Sequence, residues 1–276
     1  MSIVTFWSNG REETGKTMAA VAIATHMAIE HNVKILLIST TNKNETIQNC
    51  FWEKQKKKST FGLFGLSTSD IEMQTGMDGL IKMARSNKIS PDTIKNYTKV
   101  VFKDTLEVLF SENGVEDLSN YYPEVITMAS QYYDFVFVDL DSNINENIER
   151  LILEKSDLII ANISQKLSSI ETFKNIKQTN KLLASPKTIV MVGRYDKFSK
   201  YNVKNISRYL EERNQVLTIP YNTLYFEAAN EAGVPDLFLR FKKISDSDDR
   251  NALFALEVKR AAENIIYRLQ ELQARM

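Results

Sequence analysis

The run Ile3-Val4-Thr5-Phe6-Trp7 has the length and apolarity of a buried strand, and a small-residue helical run begins at Lys16. The connection reads Ser8-Asn9-Gly10-Arg11-Glu12-Glu13-Thr14-Gly15-Lys16-Thr17. Two glycines permit a tight turn, and a strand, turn and helix in that order bring backbone N–H groups and a helix N-terminus to one point. Such a point holds an anion. The spacing Gly-x4-Gly-Lys-Thr in this context predicts a phosphate loop: backbone amides around β- and γ-phosphate oxygens, Lys16 as a mobile point charge, and the Thr17 hydroxyl as a Mg²⁺ ligand. Gly10, Glu12, Glu13, Thr14, Gly15, Lys16 and Thr17 are the candidate phosphate-binding positions. Arg11, Glu12 and Glu13 are unusual in an anion site. The glutamates either point outward or pair with Arg11 or another cation. Each close, partly solvated approach of a carboxylate to a triphosphate weakens binding by about 1 kcal/mol.

Six further apolar runs follow: KILLI (34 to 38), LEVLF (106 to 110), FVFVDL (135 to 140), DLIIANI (157 to 163), KTIVMVG (187 to 193) and VLTIP (216 to 220). They alternate with amphipathic segments, which predicts an α/β fold: a mainly parallel twisted sheet with helices on both faces, of the P-loop NTPase type. The first helix, about 16 to 31, carries a small-residue face of Met18, Ala19, Val21, Ala22, Ala24, Met27 and Ala28. The last, about 250 to 275, spaces Phe254, Val258, Ala261, Ile265, Leu269 and Leu272 by threes and fours, as a helix packed on a sheet requires. The acidic run ISDSDDR (244 to 250) is expected to supply an Asp or Ser N-cap to it. FWEKQKKKSTFGLFGLSTSD (51 to 70) breaks the rhythm and reads as a mobile excursion.

Five prolines and nine glycines leave little room for a linker, so one domain is expected over 1–276. Lys plus Arg and Asp plus Glu number 35 each, so no global field attracts nucleic acid or an anionic membrane. The single Cys50 excludes an intramolecular disulfide, and the start lacks the pattern of a signal peptide, which predicts a cytoplasmic chain. No run approaches 18 apolar residues, so membrane contact is expected only at the surface. His26 and His31 have no cysteine or second histidine pair to complete a metal site and read as ordinary helix residues.

FVFVDLD places Asp139 at the end of a strand, where it would hold the water shell of a metal bound by Thr17. Asp141 either joins it or caps a turn. Lys16 and Asp139 are candidate catalytic residues; Thr17 and Asp139 are the candidate metal residues.

Together these motifs resemble the deviant Walker A ATPases of the ParA/MinD superfamily, whose loop has the form K-G-G-x-G-K-[ST]. In that register Arg11 takes the place of the signature lysine that reaches into a partner subunit, which implies that Arg11 is a further candidate catalytic residue, and Glu12 and Glu13 replace two glycines. The segment 76 to 114 resembles the approach to the family's third strand. In IPYNTLYFEAANEAGVP (219 to 235), Pro220, Ala228, Asn230, Gly233 and Pro235 stand in the family's order. The resemblance covers roughly residues 1 to 245. It implies ATP and Mg²⁺ as cofactors, a homodimer formed through bound nucleotide, and an adenine flanked by Pro220 and Tyr221 on one side and Arg194, Tyr195 and Asp196 on the other. Gly193 stands where many relatives carry a base-reading Asn.

One departure concerns chemistry. The family's Asp-x-Asp after the second strand is here Ile38-Ser39-Thr40-Thr41-Asn42, and hydroxyls orient water without serving as bases near neutral pH. The resemblance implies a slowly hydrolysing switch that positions a larger assembly through a protein partner. TadZ/CpaE-like proteins of Flp-type pili are the preferred subgroup, with recruitment to the inner face of the cell membrane. The alternatives are a non-hydrolysing ATP-binding scaffold and a ParA-like DNA partition ATPase. For the last, Lys54, Lys56, Lys57, Lys58, Lys242 and Lys243 are the candidate DNA contacts; nucleic acid is not the favoured partner.

Overall fold

The computed structural model describes residues 1–10, 13–41, 45–53, 76–85, 90–111, 119–244, 248–249 and 251–275. Along the chain come β1 (Ser2–Trp7), α1 (Lys16–Glu30), β2 (Ile35–Ser39), α2 (Glu45–Phe51), α3 (Gly76–Arg85), β3 (Lys99–Phe102) and β4 (Leu106–Leu109). Then follow α4 (Tyr122–Ala129), β5 (Phe135–Asp139), α5 (Glu146–Lys155), β6 (Leu158–Ile163), α6 (Leu167–Thr179) and β7 (Thr188–Tyr195). The chain closes with α7 (Val203–Leu210), β8 (Leu217–Pro220), α8 (Thr223–Asn230), α9 (Val234–Phe241) and α10 (Ala252–Gln273).

The strands form one sheet in the order β3-β4-β2-β5-β1-β6-β7-β8. Every pairing is parallel except β3 with β4. This is the α/β sheet anticipated from the seven apolar runs. β1, β2 and β6 are buried at every residue, as strands covered on both faces must be. β3 was not expected. Its Lys99 and Val100 are exposed at the sheet edge, so it lacks the apolar run that marks an interior strand.

Two cores flank the sheet. One gathers Phe6, Leu37 and Phe137 with α1 and the C-terminal helices, and the other gathers Trp7, Ile38 and Val138 with α4 to α6. Helix α1 is enclosed almost all round: Ala19 through Ala24 are fully buried because α9 and α10 cover the side turned away from the sheet. Its alanines permit that close approach, and Met18 lies only partly buried at the rim.

The stripe of α10 is buried from Phe254 to Leu269, with Leu272 packed at its margin. Its N-cap differs from expectation. Asn251 holds that position without a side-chain cap, and Asp249 Oδ1 accepts from the Asn251 backbone N–H at 2.7 Å instead. The excursion also starts later than the composition indicated: Phe51 ends α2 and is buried, and Trp52 stacks between Phe51 (5.5 Å) and Phe110 (6.1 Å). Residues 54–70, with Lys54, Lys56, Lys57 and Lys58, lie outside the described residues.

Candidate phosphate and metal site

The loop after β1 is fixed at both ends by glycine. Gly10 has φ +73°, and a Cβ there would lie 2.6 Å from the Ser142 Cβ in the turn after β5. Gly15 has φ +75° and forms the N-cap of α1 in the left-handed region, which a side chain would strain. The first turn of α1 therefore presents its unpaired N–H groups at the end of a tight turn, as an anion site needs. Arg11 and Glu12 lie outside the described residues.

The far side of the loop rests on β7. Any Cβ on Gly193 would overlap the Thr14 carbonyl oxygen, so residue 193 is glycine because the loop passes directly over it. Next to it Arg194 adopts φ +51°, and its Nη1 lies 2.9 Å from Glu13 Oε2. Glu13 thus faces a cation outside the loop. Both partners are well exposed, so the pair orients the loop more than it stabilises the fold.

At the centre, Thr17 donates its hydroxyl to Asp139 Oδ2 at 2.8 Å, while Lys16 donates to the Leu140 carbonyl and lies 3.5 Å from Asp139 Oδ1. Asp139 is 2 % exposed, and its Oδ1 accepts no hydrogen bond among the described residues. Beside it on β2, in register, stands Ser39, whose buried hydroxyl is likewise unpartnered. Buried oxygens without partners are costly. A carboxylate oxygen, the Thr17 hydroxyl and the Ser39 hydroxyl on one face of the sheet make a hard, all-oxygen donor set that fits Mg²⁺ with retained waters.

The neighbouring hydroxyl is already committed. Thr40 Oγ1 accepts from the Asp141 N–H at 2.7 Å and reaches the Asp139 carbonyl at 3.4 Å, tying the ends of β2 and β5 together. Asp141 Oδ1 accepts from the Asn143 N–H at 3.0 Å, so of its two anticipated roles the structure shows the turn cap.

Around the other rim, Pro220 ends β8 and Tyr221 is exposed, tilted against Phe226 at 6.2 Å. Asp196 is anchored by Gln165, which accepts from the Asp196 N–H (2.7 Å) and donates to the carbonyls of Asp196 (3.0 Å) and Tyr201 (2.8 Å). Arg194, Asp196, Pro220 and Tyr221 accordingly lie on the same C-terminal edge of the sheet as Lys16, where open parallel sheets bind ligands.

Two contacts and one unpartnered hydroxyl escaped the sequence. Trp7 Nε1 donates to Glu149 Oε1 at 2.8 Å, and burial raises the Glu149 pKa against the opposing influence of Trp7 and Lys16. Tyr225 of α8 donates to the Met18 carbonyl at 2.6 Å, joining the closing segment to the first turn of α1. Ser39 was read as a lost carboxylate, and its unpartnered hydroxyl beside Asp139 is visible only in the strand register.

The sequence matches no protein-family model and no curated protein. Solved structures do match. A ParA family ATPase from Chlorobium tepidum superposes with TM-score 0.68 at 15 % identity, over 95 % of this chain and 97 % of that one. Its fold is that of the ParA and MinD ATPases. MinD in the MinC:MinD cell division complex of Aquifex aeolicus gives 0.65 at 15 % identity, over 95 % and 96 %. A putative plasmid partition protein of Borrelia burgdorferi bound to AMPPNP gives 0.61 at 16 % identity, over 98 % of both chains. These structures and the present chain share the fold over most of their lengths. Among the described residues no helix is long and apolar enough to cross a membrane.

Proposed function

We propose that this chain, acting as one nucleotide-binding unit, binds ATP with Mg²⁺ at the loop before α1 and serves as a slowly hydrolysing switch that positions a larger assembly. The observation that carries the reading is the Thr17–Asp139 hydrogen bond, with Asp139 Oδ1 buried, accepting no hydrogen bond and ion-paired with Lys16 at 3.5 Å. Backbone amides at Gly15 and beyond hold phosphate oxygens; Lys16 leaves the Leu140 carbonyl to neutralise them. Thr17 ligates Mg²⁺ and Asp139 orients its water shell. A Mg²⁺ held by Thr17 and Asp139 would supply positive charge against the phosphates. Arg11 serves as a finger across a nucleotide-bridged homodimer, a role suited to a planar, always-charged guanidinium.

The relatives' fold supports this reading, as does the AMPPNP carried by the Borrelia structure. The MinC:MinD complex supports a protein partner in the assembly. Placement of a Flp/Tad-type pilus system at the inner face of the cell membrane is the biological role we favour. A second reading, a non-hydrolysing ATP-binding scaffold, is favoured by Thr40: its hydroxyl is engaged by backbone groups, and Ser39 to Thr41 hold no carboxylate base.

Calorimetric titration with ATP and Mg²⁺ is expected to show binding that Lys16→Ala abolishes. Equal binding by both proteins refutes the phosphate-loop reading. Steady-state phosphate release above the Lys16→Ala background separates the switch from the scaffold. Arg11→Ala is expected to weaken ATP-dependent dimerisation in sedimentation while sparing monomer binding; an unchanged profile removes the finger.

A further inference from the structure

The zero net charge of the chain conceals an uneven distribution. Residues 166–213 hold eleven Lys and Arg against four Asp and Glu, a net charge of +7, so the rest of the chain carries −7. This stretch comprises α6, β7 and α7. Between the two helices runs a groove of ≈ 390 Å³ whose open apolar surface comes from Leu167, Tyr201 and Tyr209, with the buried Ile170 and Ile206 beneath them. Leu167 is 38 % exposed there although it begins a helix on the basic face.

The rim is cationic and aromatic. Lys174 is held by Glu211 at 3.6 Å and lies 4.8 Å from the centre of the Tyr209 ring, and Lys177 is paired with Glu212. Those pairs leave the outer charges uncompensated. Among the described residues, Lys166, Lys197, Lys200 and Lys204 form no ion pair, and Arg208 Nη2 meets only the amide oxygen of Asn205, at 3.2 Å.

We propose that the α6–α7 groove docks an acidic amphipathic segment of a partner protein. The occupant must satisfy two chemistries together. Its carboxylates meet Lys200 and Arg208 on the rim and Lys204 one turn before Arg208 on α7, and its apolar face covers Leu167 and the rings of Tyr201 and Tyr209. A nucleic-acid backbone satisfies the rim alone, since phosphates and sugars leave an apolar floor uncovered. The inference stands apart from nucleotide binding, because it uses charges and a groove that the phosphate loop does not.

Fluorescence anisotropy of the full chain tests it with three labelled probes: a short amphipathic peptide of glutamate and leucine, the same peptide with glutamine for glutamate, and a duplex DNA. The acidic peptide is expected to bind and to weaken about tenfold in Lys200→Glu/Lys204→Glu/Arg208→Glu, with the glutamine peptide weaker by a similar factor and salt reducing the difference. Leu167→Ser is expected to weaken the acidic peptide without altering its salt dependence. All three rim residues are exposed, so circular dichroism of the variants should match the parent. Absence of acidic-peptide binding, or binding indifferent to the triple charge reversal, overturns the proposal. Tighter binding of DNA than of acidic peptide, lost in the same triple variant and unchanged in Leu167→Ser, overturns it in favour of nucleic acid.

Discussion

Thr17 and Asp139 stand 122 positions apart in sequence and meet through a 2.8 Å hydrogen bond at the ends of α1 and β5. Only one carboxylate oxygen is used by that bond. The other, Oδ1, is buried beside Lys16. Asp139→Asn keeps an acceptor for Thr17 and removes the negative charge. It is expected to lower Mg²⁺-dependent ATP affinity about tenfold or more while leaving metal-free binding nearly unchanged, measured by titration with and without chelator. Equal loss in both conditions places Asp139 in the fold instead of the metal site.

Glu13 faces Arg194 at the loop edge. Glu13→Gln removes a negative charge near the proposed triphosphate and is expected to tighten ATP binding by about 1 kcal/mol, roughly fivefold. Weaker binding in the variant shows that the Arg194 contact matters more to loop geometry than the repulsion does.

Gly193 has the Thr14 carbonyl over its α-carbon. Gly193→Ala forces the loop off β7, with an expected destabilisation of about 1–3 kcal/mol in urea unfolding and a parallel loss of ATP affinity. Full stability with normal affinity would mean that the loop yields without cost.

Glu149 offers a pH test. Burial raises its folded-state pKa above the unfolded value, so the folded protein holds that proton more tightly. Its contribution is favourable below the unfolded pKa and is lost as pH rises through the folded one. Glu149→Gln retains an acceptor for Trp7 Nε1 and stays neutral. The variant is expected to gain stability over the parent at neutral pH and to lose that advantage in acid, as read from urea midpoints across the range. A constant difference at all pH values removes the assignment to Glu149 ionisation.

Much of the fold was legible because interior parallel strands demand continuous apolar runs, and residues 3–7 and 135–140 supply them. β3 was illegible for the opposite reason: an edge strand with Lys99 and Val100 in solvent needs no such run. At the site, the Gly-x4-Gly-Lys-Thr spacing named Lys16 and Thr17 as candidates, since a local turn is encoded locally, and the structure brings both beside Asp139. Gly193 was conspicuous only as a departure from a family pattern. Its cause, the Thr14 carbonyl, comes from a segment far away in sequence. The cationic rim was hidden because Lys174 of α6 and Arg208 of α7 line one groove only after both helices pack on the sheet.

The phosphate loop is gripped on two sides, by Ser142 against Gly10 and by Gly193 against Thr14. Those holds belong to opposite halves of the sheet: β5 neighbours β1 on one flank, and β7 lies beyond β6 on the other. The loop is thus a beam resting on two supports. If an incoming phosphate lifts it, the load must pass to the turn at 141–145, to the Arg194–Tyr201 connection above α7, or to both. Occupancy of a single small site can in this way be felt on two separate faces of the molecule.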